Sequence, residues 1–154
     1  MELRSSPVRV AEADPFVGGT PRPRPLLLAR VPAGFPSPAD DYVDRALDLH
    51  ELCVKNPAAT YFVRVEGDSM VGAGIHSGDI LVVDRSLPPD DGRVVVAALH
   101  GELTVKQIRV ERTKAGVRRL RLVPENDHFP HIEVTPEMDF TVWGVVTHVV
   151  HALV

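Results

Sequence analysis

The chain has 154 residues, 44% of them hydrophobic and 25% charged, enough to bury one ordinary core. A formal net charge of -4 argues against generic nucleic-acid binding by the whole domain, and the single cysteine, Cys53, excludes an internal disulfide, which fits a reducing cytosol. No apolar run reaches the length needed to span a bilayer, and the N-terminus lacks the basic segment, apolar stretch and cleavage box of a secretory signal, so a cytoplasmic chain without membrane contact is expected.

Residues 1–38 carry eight of the fourteen prolines, at positions 7, 15, 21, 23, 25, 32, 36 and 38, with Gly18-Gly19 among them. Proline fixes φ and removes a backbone donor, and no helical or alternating period is sustained here. This stretch therefore predicts an extended, mobile arm without a packed core, followed by one domain over residues 39–154. Between 40 and 54, apolar residues at Tyr42, Val43, Ala46, Leu47, Leu49, Leu52 and Cys53 suit short helical turns, which Asn56-Pro57 ends. Cys53 reads as a small core residue, not a reactive thiol.

From Thr60 the sequence turns to short β-rich runs, over 60–65, 80–84, 94–99, 102–110, 117–123 and 141–153. Turn signals such as Ser77-Gly78-Asp79 and Pro88-Pro89-Asp90-Asp91-Gly92 separate them. The pattern predicts a mainly β, compact and mostly antiparallel domain with short helical turns. In the last run Val142, Val146 and Val150 alternate with Trp143, Val145, Val149 and Leu153. A strand apolar on both faces is central in a sheet or lies at a subunit interface.

Three charged or metal-binding patterns have plainer readings. Arg109, Arg112, Lys114, Arg118, Arg119 and Arg121 surround a Lys114-Ala115-Gly116 turn, and such charge on a hairpin is a solvated face that also discourages edge aggregation; a surface for DNA or an acidic partner is the alternative. His128-x-x-His131 lies in a proline-containing loop without nearby cysteines, and His148-x-x-His151 lies in a strand-like run, where residues three apart point to opposite faces. No metal and no other cofactor is expected.

The run Tyr61-Phe62-Val63-Arg64-Val65-Glu66-Gly67-Asp68-Ser69-Met70 carries Ser69 to a glycine-bearing turn. Thirty-seven positions later, Leu103-Thr104-Val105-Lys106-Gln107-Ile108 carries a lysine on a strand. A hydroxyl at a turn and an amine on a rigid strand are the parts of a Ser-Lys nucleophile and base pair, although each alone is an ordinary turn serine or surface lysine. Around them, in order, stand Glu66-Gly67-Asp68-Ser69-Met70, Gly74-Ile75, Ser77-Gly78-Asp79-Ile80-Leu81-Val82-Val83-Asp84, Gly92-Arg93-Val94-Val95-Val96-Ala97-Ala98 and Thr104-Val105-Lys106. Val123-Pro124-Glu125-Asn126 and Trp143-Gly144-Val145-Val146 follow. The series resembles the S24 self-cleaving peptidases, the family of LexA and UmuD, from about residue 35 to the last.

That resemblance implies a LexA/UmuD-like peptidase domain with Ser69 as nucleophile, Lys106 as base and the backbone N–H groups of Asp68 and Ser69 as oxyanion donors. Val31-Pro32-Ala33-Gly34 resembles the family's Val-x-Ala-Gly self-cleavage site, so the implied cut falls between Ala33 and Gly34. Pro32 departs from the usual residue, which an arm docked as an extended strand tolerates, because proline there loses only an unused donor.

An ordinary lysine is neutral in only about one molecule in a few thousand at pH 7, and burial would raise that fraction. Ile108, Val110 and Thr104 share the face of Lys106 by alternation. Gly67 lets the chain turn toward Ser69. Asp79 and Asp84 match family positions and read as turn and loop supports, because a Ser-Lys pair needs no third carboxylate.

The 33 residues before the implied cut are too few and too rich in proline for a helix-turn-helix domain, so the UmuD branch is the better match and no sequence-specific DNA binding is expected. In that branch a RecA filament on single-stranded DNA stimulates self-cleavage during the SOS response. The trimmed product joins an error-prone translesion DNA polymerase, and the protein is a homodimer. The alternatives are a non-catalytic interaction domain that kept the fold, the truncated peptidase domain of a LexA-type repressor, and a signal-peptidase-like enzyme, which would need a membrane anchor.

Overall fold

Runs of β-branched residues satisfy their backbone groups by pairing side by side, and here nearly all of them do. A computed structural model describes residues 9–15, 24–27 and 43–154. Its strands are β1 (Arg9–Pro15), β2 (Arg24–Leu27), β3 (Val43–Leu47), β4 (Thr60–Glu66), β5 (Ile80–Asp84), β6 (Val94–Leu99), β7 (Glu102–Arg112), β8 (Arg118–Val123), β9 (Ile132–Val134) and β10 (Phe140–Val150). One short helix, α1 (Leu49–Cys53), and two single 3-10 turns, Pro57–Ala59 and Val71–Ala73, complete the regular structure of the described residues.

Eight strands form one sheet in the order β1-β4-β5-β10-β6-β7-β8-β9, every pairing antiparallel. A further pairing of Arg9 with Thr104 brings β1 back against β7 and closes six of the strands on themselves. β2 and β3 pair separately with each other. The mainly β, antiparallel expectation holds, as do the runs at 80–84 and 94–99.

Two apolar clusters lie on opposite faces of the sheet. Val63, Val65, Met70, Ile75, Leu81, Val83, Val96 and Val105 make one. Val95, Ala97, Ile108, Leu122 and Val145 make the other. Neighbours such as Val95 and Val96 divide between them, as period-2 alternation requires.

β10 shows where simple alternation fails. It is central, between β5 and β6, which accounts for the buried part of its apolar faces, while Trp143 and Val150 stay exposed. Register shifts at Val142/Gly144 and Val146/His148 each insert a residue, so Val142 and Val145 pack on one cluster while Val146 and Val149 pack on the other. A bulge restarts the alternation, and the faces expected from strict period 2 are therefore regrouped. The strand also ends at Val150, leaving Leu153 exposed.

Three further expectations need correction. The stretch read as helical turns is a strand, β3, followed by a single helical turn; pairing with β2 outweighs the helical spacing, and Asp48 caps α1 by accepting from the His50 N–H at 2.8 Å. Cys53 is half-buried on α1, not a core residue. β9, three residues long, was not anticipated. Residues 9–15 and 24–27 of the expected arm are the strands β1 and β2, and β1 is paired with β4 along its length.

Candidate active site

Strand β4 aims the chain at the site and Gly67 releases it. Gly67 has φ of 100°, a left-handed value that a side chain would disfavour, and its N–H donates to the Ser77 hydroxyl at 3.2 Å. The chain then dips so that Ser69 and Met70 are fully buried, Met70 within the apolar cluster. The Met70 carbonyl accepts from the N–H groups of Ala73 and Ile75, which closes the loop on itself.

A second loop braces this one. The Asn126 side chain donates to the Asp68 carbonyl at 2.9 Å, and the Gly72 N–H donates to the Glu125 carbonyl at 2.8 Å. A Cβ on Gly72 would lie 2.6 Å from that same carbonyl oxygen, so only glycine permits the approach. Because the Asp68 carbonyl and the Ser69 N–H belong to one planar peptide, Asn126 sets the direction of that N–H from 58 residues away. In the sequence Asn126 stands among the family-like residues without a role of its own. Its contact is long-range, and no local pattern marks it.

Strand β7 supplies Lys106. It sits opposite Val95 on β6, on the same face as Thr104 and Ile108, and is 3% exposed. Its Nζ donates to Thr104 Oγ1 at 2.9 Å, to the Val105 carbonyl at 3.1 Å and to Ser69 Oγ at 3.3 Å. None of the three is a carboxylate. Burial, which outweighs these neutral acceptors, lowers the Lys106 pKa to about 8. Hydroxyl and amine thus meet within hydrogen-bond reach in a dry setting, the geometry in which an amine can take a serine proton.

The remaining expected residues are distributed as follows. Asp84 accepts from Asn56 at 3.0 Å and from the Ser86 N–H at 2.8 Å, at the exit of β5. Asp79 accepts from the His76 N–H at 2.8 Å within the turn before β5. The basic hairpin forms as read, with its turn closed between Thr113 and Gly116; Arg121 pairs with Glu111, and Arg109 with Asp91 at 3.6 Å, so part of its charge is already matched. Ala33 and Gly34 lie outside the described residues.

One cluster was missed. His151, just past β10, places Nδ1 2.5 Å from Asp79 Oδ1, and His76 stands beside it. By sequence His151 is half of an i,i+3 pair in a strand-like run, but the strand ends before it.

Ser69 and Lys106 thus make a pair able to act as nucleophile and base. The family model described as Peptidase S24-like matches residues 25–147. MucA of Salmonella typhimurium is 48% identical over 125 residues, covering 80% of this chain and 82% of that protein. ImpA of Shigella flexneri is 44% identical over 128 residues, 83% of each. The LexA repressor of Stenotrophomonas maltophilia is 37% identical over 119 residues, covering 77% of this chain but only 54% of the repressor. The chain belongs to the S24 peptidase family, on its UmuD-like side.

Proposed function

We propose that this protein is a self-cleaving serine peptidase that removes its own N-terminal arm between Ala33 and Gly34. The observation that carries the reading is the 3.3 Å approach of Lys106 Nζ to a fully buried Ser69 Oγ, with a lysine whose pKa has fallen to about 8. At pH 7 about one such lysine in ten is neutral, against one in a few thousand for an ordinary one.

The neutral amine takes the Ser69 proton as Oγ attacks the Ala33 carbonyl carbon. The negative charge that develops on the carbonyl oxygen is met by the N–H groups of Asp68 and Ser69, the latter on the peptide that Asn126 holds. As the C–N bond breaks, the Lys106 ammonium gives its proton to the departing Gly34 amine. Water, deprotonated by the same lysine, then releases the acyl group from Ser69. Pairing of β1 with β4, the strand that leads to Ser69, and with β7 two residues from Lys106 supports an arm that runs close to both groups.

The wider setting proposed with it is the one the family resemblance implies: stimulation by a RecA filament on single-stranded DNA in the SOS response, a cytoplasmic homodimer, and a trimmed product that serves an error-prone translesion DNA polymerase. Identity of 48% to MucA and 44% to ImpA, against 37% to the LexA repressor, favours this branch over a repressor. The intact mass of the purified protein after long incubation tests the central step. It should fall by residues 1–33 in the unmodified chain and stay constant in Ser69→Ala. Cleavage persisting in Ser69→Ala would assign the cut to another protease.

A further inference from the structure

The connection between β4 and β5 carries Ser69 near its start and a different constellation at its end. His76, Asp79 and His151 each offer one ligand atom, and these atoms all lie within 4.8 Å of one another. The Asp79 side chain is 2% exposed, while those of His76 and His151 are 51% and 42% exposed. Asp79 Oδ1 faces His151 Nδ1 at 2.5 Å, Oδ2 faces His76 Nδ1 at 3.9 Å, and the two imidazole rings are 4.9 Å apart between centroids.

We propose that His76, Asp79 and His151 bind a divalent transition-metal ion, with zinc as the ion whose chemistry fits best. Two imidazoles and one carboxylate form a donor set that suits zinc, and a buried carboxylate with two rings beside it is a place where a cation replaces a proton. Ligand bonds of about 2.0–2.2 Å put the donors of a tetrahedral ion roughly 3.3–3.6 Å apart. The His151–Asp79 pair opens to that spacing and the His76 ring closes to it by side-chain rotation, which the half-exposed rings permit.

The fixed member is the carboxylate, because the His76 N–H holds Oδ2 at 2.8 Å and so orients Oδ1 outward, the role of an outer-shell support. The Asp79 backbone is held as well: its carbonyl accepts from the Val65 N–H at 3.0 Å, and its N–H donates to the His76 carbonyl at 3.1 Å. The fourth position faces solvent and takes water. Bound there, the ion ties the chain after β10 to the loop that ends at β5. It uses neither Ser69 nor Lys106, so it stands apart from the proposed peptidase chemistry.

Chelator-treated full-length protein is titrated with zinc against a chromophoric chelator, and separately with cobalt as a spectroscopic probe. One zinc should bind per chain and raise the thermal unfolding midpoint, and cobalt should develop visible d–d bands of low-symmetry nitrogen and oxygen ligation. His76→Ala and His151→Ala should each weaken zinc by about 100-fold or more, because each removes a ligand outright. Both rings are half-exposed, so the fold should survive. His128→Ala/His131→Ala should bind as the parent does. Absence of zinc uptake by the parent, or uptake undiminished in the His76→Ala/His151→Ala double variant, would overturn the site.

Discussion

Lys106 and Asp84 are both buried, at 3% and 4% exposed, and both have lowered pKa values, yet the same direction means opposite things. For the lysine the cause is burial, and lowering disfavours its charge. For Asp84 burial alone would raise the pKa, but hydrogen bonds from the Ser86 hydroxyl, the Asn56 amide and nearby backbone N–H groups outweigh it and hold the carboxyl below its ordinary range. The carboxylate's hydrogen bonds outweigh its burial, which suits a support, whereas the ammonium's do not, which suits the base of the proposed function. Whether the hydrogen bonds to a buried group's charged form outweigh its burial, more than its depth, sets the sense of the shift.

The strongest test of this contrast is Lys106→Met. Under the proposed function, arm removal should fall by about 10²–10⁴-fold, the usual worth of a general base. Stability should move the other way. The folded-state pKa is depressed from 10.5 to about 8, so at pH 7 the fold carries the cost of holding the proton, and that cost fades as pH rises from about 8 to 10.5. Removing the amine should therefore stabilise the fold by up to about 3 kcal/mol at pH 7, less the lost hydrogen bonds to Thr104 and Val105, with the gain shrinking toward pH 10. Urea unfolding at several pH values reads this. A variant that is equally destabilised at every pH would mean that the hydrogen bonds to the ammonium offset its burial.

Asn126→Ala and Gly72→Ala probe the brace and not the base. Either should lower the cleavage rate by about tenfold, because the Ser69 N–H loses its fixed direction, through a missing donor in one case and a 2.6 Å clash in the other. The pH at which the rate levels off should not change, since neither residue touches Lys106. A shift of that pH would show that the loop acts through the amine.

Much of the sheet was readable because its strands obey local rules: β5 and β6 begin and end where the apolar runs do. Ser69 and Lys106 could be paired because each sits at the end or middle of such a run. What could not be read shares one property, dependence on distant partners. β3 is a strand because β2 lies beside it, the faces of β10 are set by bulges, and the Asn126–Asp68 and His151–Asp79 contacts join residues 58 and 72 positions apart. No periodicity within a window encodes these.

Asp84→Asn is the converse of the lysine test and a smaller one. The amide keeps the shape but not the charge that Ser86 and Asn56 stabilise, so the fold should lose about 1–3 kcal/mol at pH 7. A depressed carboxyl contributes stability that is present above its unfolded pKa and lost as pH falls through the folded one. The difference between variant and parent should therefore shrink in acid, and urea midpoints from pH 7 downward check it. Arm removal by the folded fraction should keep its pH dependence.

The finest test alters the lysine's surroundings while leaving the lysine in place. In the parent, the unassisted rate should climb about tenfold per pH unit and level off near the Lys106 pKa of about 8, following the neutral amine. Thr104 Oγ1, 2.9 Å from Nζ, accepts from the ammonium and so favours the charged form. Thr104→Val keeps the β-branched shape on the same strand face but removes that acceptor. Losing one hydrogen bond to a cation is worth about 1 kcal/mol, so the plateau should begin roughly half to one pH unit lower. Below the plateau this raises the neutral fraction, while the plateau rate itself should drop modestly because the amine is held less firmly toward Ser69. A rate profile from pH 6 to about 10 separates the two effects, and a plateau that moved upward would show that the hydroxyl favours the neutral amine instead.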